Sequence, residues 1–170
     1  MPTGQDLWSV QEDSLYALLT SAMAPGGPLA VQPNPDGSTG IKTIVRSAPP
    51  ESAAFPNIGM MWTDGDEAPF SAPKVDATNR FVIMISVQLA HDPTTTELGQ
   101  AALQYLRLYQ NDNAGNGLSP LLRTNVTLLG TASRSRIAHQ ERHVMASKAD
   151  ASDVIAVAMY TFETSGLIAF

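Results

Sequence analysis

Phe81-Val82-Ile83-Met84-Ile85-Ser86-Val87-Gln88-Leu89-Ala90 is the stretch on which the reading of this chain turns. It is rich in β-branched residues, bounded by charged or polar residues, and largely apolar on both faces. That pattern predicts a central strand, with helices over one face and another surface over the other. Downstream, Thr94 and Glu97 have the spacing of a capping box, in which each side chain satisfies a free backbone N–H at the helix start. Leu98, Ala101, Ala102, Tyr105, Leu108 and Tyr109 follow at helical spacing and predict a helix that ends in the turn formers 111–117. Upstream, Ile58 to Trp62 reads as a short strand. Asp64-Gly65-Asp66-Glu67 then opens a segment, 64–79, with two prolines, one glycine and four acids, which predicts an exposed acidic loop.

Towards the N-terminus, Ser9 and Glu12 repeat the capping-box spacing, and Leu15, Leu18, Leu19 and Ala22 form one apolar helical face. Pro25-Gly26-Gly27-Pro28 stops that helix. Segments 29–32 and 41–46 flank Asp36-Gly37 and predict a β-hairpin with a long tip. Towards the C-terminus, Thr124 to Leu129, Ser135 to Val144 and Asp153 to Thr164 read as strands, the last apolar on both faces. The expected fold class is α+β: two helices packed on a mostly antiparallel β-sheet, in a single domain spanning residues 1–170.

Composition narrows the class. The chain has 170 residues, 44% hydrophobic and 15% charged, with no cysteine and a net charge of -6. Disorder requires the opposite balance, and without thiols neither disulfides nor cysteine-bound zinc can form. No run of about 18 apolar residues predicts a membrane helix. The opening MPTGQDLWSVQED has no basic n-region or apolar h-region and does not read as a signal peptide. The expectation is therefore a soluble protein of a reducing compartment.

The charges are sorted along the chain. Residues 1–101 carry 4 basic and 11 acidic side chains, residues 102–149 carry 6 and 2, and residues 150–170 carry three acids. Complementary patches of this kind favour stacking in register on a copy or a partner. Arg134, Arg136 and Arg142 are evenly spaced, so an ideal strand would put them on one face. Such a row suits phosphate or an acidic partner surface, and Asp64, Asp66 and Glu67 of a neighbouring copy are the candidate partner. The competing reading is an exposed strand that carries charge to prevent aggregation. Met60, Met61 and Trp62 are candidate interface anchors, with the strand core as the alternative home for two of them.

Catalytic patterns are sparse. No phosphate-binding glycine loop, dinucleotide fingerprint or nucleophile elbow occurs. Ser71-Ala72-Pro73-Lys74 fits S-x-x-K, but a proline lies inside the motif. His139-Gln140-Glu141-Arg142-His143 has its acid one place away from the zincin pattern and sits in a predicted strand. Asn111-Asp112-Asn113 begins like a calcium loop but has no glutamate at the twelfth position and reads as a turn. Asn125-Val126-Thr127 is a sequon without a secretory context. No catalytic residue, metal ligand or cofactor is assigned. Sequence-specific DNA binding is not expected of an acidic chain that has no reading motif.

The Leu-faced N-terminal helix comes first. Phe55-Pro56-Asn57-Ile58 leads into a strand, and a long strand from Phe81 to His91 runs into the second helix. This order resembles the neck proteins of tailed bacteriophages, and most nearly the tail terminator, over about residues 9–164. The resemblance implies an α+β subunit with helices on one sheet face. It also implies assembly with copies of itself into a ring, typically a hexamer, that caps the tail tube and joins it to the head. On that reading the protein is not an enzyme. It belongs to the virion neck, is assembled in the bacterial host cytoplasm, and contacts tail-tube and connector proteins and at most DNA in the lumen. The alternatives are a head-side connector, stopper or minor capsid protein, and a small zinc hydrolase using His139, Glu141 and His143.

Overall fold

A computed structural model describes residues 7–50, 53–71, 74–91, 97–148 and 150–169. In chain order the elements are α1 (Leu7–Ala22), β1 (Thr43–Val45), β2 (Asn57–Ser71), β3 (Lys74–Leu89), α2 (Leu98–Gln110), α3 (Leu118–Thr124), β4 (Arg134–Ala146) and β5 (Val154–Ala169). The five strands form one mixed sheet in the order β1-β2-β3-β5-β4. Only the short β1 runs parallel to its neighbour β2, and every other pairing is antiparallel. The α+β class stands, with three helices among the described residues rather than the two expected.

The quoted strand explains the architecture. Phe81, Ile83, Ile85 and Val87 are fully buried and stand opposite Phe162, Tyr160, Ala158 and Ala156 of β5. Side chains alternate along a strand, so these eight define one apolar face. Leu15 and Leu19 of α1, Leu106 and Tyr109 of α2, and Leu118 and Leu122 of α3 complete the same core cluster. The other face of β3 carries Val82, Met84, Ser86 and Gln88, and no helix contributes to it among the described residues. Part of it is crossed by the segment after β1. A Cβ on Gly59 would lie 2.5 Å from both the Pro49 ring and the Ser47 carbonyl, so only glycine admits this strap.

Several expectations are corrected. Segment 64–79 is not a loop: Asp64–Ser71 and Lys74–Asn79 are the outer halves of β2 and β3, paired through most of their length. β3 is also paired there to β5, from Lys74 opposite Ala169 to Asn79 opposite Thr164. Ladder bonds on both sides of β3 outweigh the weak local strand propensity of Asp, Gly and Pro. The tip, residues 72–73, lies outside the described residues. Ser9 and Glu12 lie inside α1, which already includes Leu7, so they do not form its cap. Thr94 lies outside the described residues, and Glu97 immediately before α2 makes no side-chain cap bond.

Of the predicted hairpin over 29–46, Thr43–Val45 form β1, paired to β2 rather than to 29–32, and the hairpin itself is reduced to a bridge between Pro33 and Thr39. Pro28, Pro33 and Pro35 remove donors that a longer ladder would need. Segment 124–129 is not a strand. It holds the end of α3 and tight turns in which Leu128 and Leu129 have positive φ, 46° and 55°. The strands predicted at 135–144 and 153–164 are present as β4 and β5, the latter running on to Ala169.

Candidate functional site

β4 places the arginines differently from an ideal strand. The register shifts between Ile137, opposite Phe162, and His139, opposite Thr161, which leaves Ala138 as a bulge. One inserted residue reverses the facing of everything after it. Arg134 and Arg136 therefore stand on the open face, opposite Ser165 and Glu163. Arg142 stands opposite Ala158 on the helix face, where its Nε donates to Gln110 Oε1 at the end of α2. The expectation of one three-arginine face is corrected to a pair and a single.

On the open face a row of charge crosses the sheet. Asp64 of β2 stands opposite Arg80 of β3, Arg80 opposite Glu163 of β5, and Glu163 opposite Arg136 of β4. The contacts are close: Arg80 to Asp64 at 2.9 Å, Arg80 to Glu163 at 3.1 Å and Arg136 to Glu163 at 2.7 Å. Asp66 adds a second carboxylate to Arg80 at 2.9 Å. Glu163 is the most enclosed member, with 15% of its side chain exposed. Hydrogen bonding to Arg136, then to Arg80, holds its carboxyl below the ordinary value despite partial desolvation. The three carboxylates in turn push the Arg80 guanidinium further up, led by Glu163. Acidic segment and arginine strand thus meet within one chain, through Arg80 and Glu163. Sequence reading assigned no role to either residue. Glu163 lies in a predicted strand and Arg80 just before one, but only the cross-strand register makes them partners.

The two ends of the row lie at the two edges of the sheet. Among the described residues no strand pairs with β2 beyond Gly59 on the side away from β3, and none pairs with the outer side of β4. Asp64, Asp66 and Glu67 are exposed on the first edge, and Arg134 and Arg136 on the second. A thin charge of either sign commonly guards an edge, but here each edge carries mainly one sign.

The apolar candidates separate. Met60 is fully buried in the core, so it is not available as a surface anchor. Met61 is half-buried on the open face, opposite Val82. Trp62 is 38% exposed, tilted against Trp8 of α1 with ring centroids 5.3 Å apart, and its Nε1 donates to Asn79 Oδ1.

The remaining motifs lie on β4 and in the turn after α2. His139, Glu141 and His143 share the open face of β4, with both imidazole Nε2 atoms near Glu141 Oε2, at 3.9 and 3.5 Å. Among the described residues no group of three or more His, Asp or Glu is arranged to hold a metal ion. Asp112 closes its turn by accepting from the Ala114 and Asn116 backbones, the Asn116 amide and Gln32 Nε2. The Asn116 amide, followed by Gln32, holds its pKa at about 2. Among the described residues no helix is long and apolar enough to cross a membrane. No protein-family model matches this sequence, and no curated protein matches it significantly.

Proposed function

We propose that this protein is a ring-forming structural subunit of the phage neck, the tail terminator at the head-proximal end of the tail tube, without enzymatic activity. The observation that carries the reading is the pair of edge segments that meet no further strand among the described residues, acidic on β2 beyond Gly59 and basic on β4. Two unlike, complementary surfaces on opposite sides of a subunit make a heterologous contact, which generates a ring when the rotation closes. The resemblance in element order supports placing that ring at the tail, with six copies as the implied number. Helices on one face of the sheet agree with it. Copies of the chain, the tail tube and connector proteins are the partners, and the virion assembled in the host cytoplasm is the location. DNA in the lumen makes at most non-specific contact.

Electron microscopy of the purified chain with tail tubes tests the reading. Rings seated on tube ends are expected. Binding to portal or capsid instead would assign the protein to the head side. A chain that stays monomeric at high concentration and ignores both would overturn the structural role.

A further inference from the structure

We infer that the open ends of the charge row join between copies, with Arg136 of one subunit meeting Asp64 of the next and Arg134 meeting Asp66. The inference rests on the ring reading and adds the contact itself. Across one sheet the row runs Asp64, Arg80, Glu163, Arg136, alternating in sign from edge to edge. It stops with an acid on β2 and a base on β4. The adjacent row runs Asp66, Thr78, Ser165, Arg134, again acid at one edge and base at the other. Repeating the subunit sideways continues the alternation without a like-charge neighbour. Pairing β4 with β4 through 134–137, or β2 with β2 through 64–67, would oppose like charges, which disfavours a two-fold dimer through either segment.

Chain direction agrees. β2, β3, β5 and β4 alternate in sense, so the outer strands β2 and β4 run in opposite directions. A copy related by rotation about an axis along the strands therefore brings β4 against β2 in the antiparallel sense, the sense already used by β2, β3, β5 and β4. The bulges delimit the segments. β2 is irregular between Trp62 and Asp64, and β4 between Ile137 and His139. That leaves regular backbone at 64–67 on one edge and 134–137 on the other, the segments that hold Asp64, Asp66, Arg134 and Arg136. The end charges are available: side-chain exposure is 57% for Asp64, 70% for Asp66 and 63% for Arg136.

Charge exchange with amide hydrogen exchange as readout tests the pairing. Arg134→Glu alone and Asp66→Arg alone should each weaken self-association about tenfold, the effect of roughly 1.4 kcal/mol of lost complementarity. Both changes in one chain should restore it, as should mixing the two single variants. In the assembled wild-type protein, amides of 64–67 and 134–137 should exchange more slowly than in the dilute monomer. Assembly with both segments exchanging at the monomer rate would overturn this pairing and leave the ring reading standing. Single reversals that assemble like the wild type would do the same. Absence of any assembly, alone or on tail tubes, would remove the ring reading and the pairing with it. A variant that fails to fold leaves the wild-type exchange measurement to decide.

Discussion

Single side chains tie the first helix to the sheet. Gln11 is fully buried, accepts from Asn79 Nδ2 and Thr164 Oγ1, and donates to the Thr131 carbonyl. One amide thus serves β3, β5 and the turn before β4. Gln11→Ala would strand three polar groups under the helix. We expect a loss of about 3 kcal/mol in urea unfolding, since each unsatisfied buried group costs about 1–3 kcal/mol; a loss under about 1 kcal/mol would contradict the role. On the open face, Arg80 ties β2 to β5. Arg80→Met should destabilise the fold only modestly at neutral pH, because Asp64 and Asp66 are more than half exposed and solvent screens their pairing. The pH dependence follows from Glu163. Its folded pKa lies below the ordinary 4.5, so its contribution is present above that value and lost as pH falls through the folded value. The stability gap between wild type and Arg80→Met should therefore narrow below pH 4.5. An equal gap at pH 7 and pH 3 would show that the ion pairs contribute nothing.

Elements differed in how far the sequence revealed them. The strand from Phe81, the apolar C-terminal strand and the two longer helices were legible because each carries a full stripe of apolar residues at its own period. Segment 64–79 was not, because Asp, Gly and Pro there carry turn propensity while the pairing that overrides it comes from β5, far along the chain. α3 escaped notice because it is only 7 residues long, too short for a periodic pattern. A direct check of the corrected segment is hydrogen exchange in the monomer. Asn79, buried between β2 and β5, should have an amide protected by orders of magnitude, close to that of Ile83. Exchange there at the rate of an open chain would restore the loop.

At the level of the whole molecule, the sorted charge along the chain became a sorted charge across a sheet. The acidic and basic segments were legible as candidates. Their division into internal partners and open ends was not, because it depends on the β4 bulge and on Arg80 and Glu163 lying in register. The bulge removed Arg142 from the open face, and core packing removed Met60 from the surface. What remains is a chain whose acidic and basic sheet edges are joined within one copy only through Arg80 and Glu163, which leaves the proposed contact between copies to be tested. The mass of the purified protein in solution, followed by light scattering from dilute to high concentration, tests that claim most directly. A single closed species of several equal copies, with six the implied number, is the result predicted here. A mass of 18.1 kDa held at every concentration, with no binding to tail tubes, would contradict it.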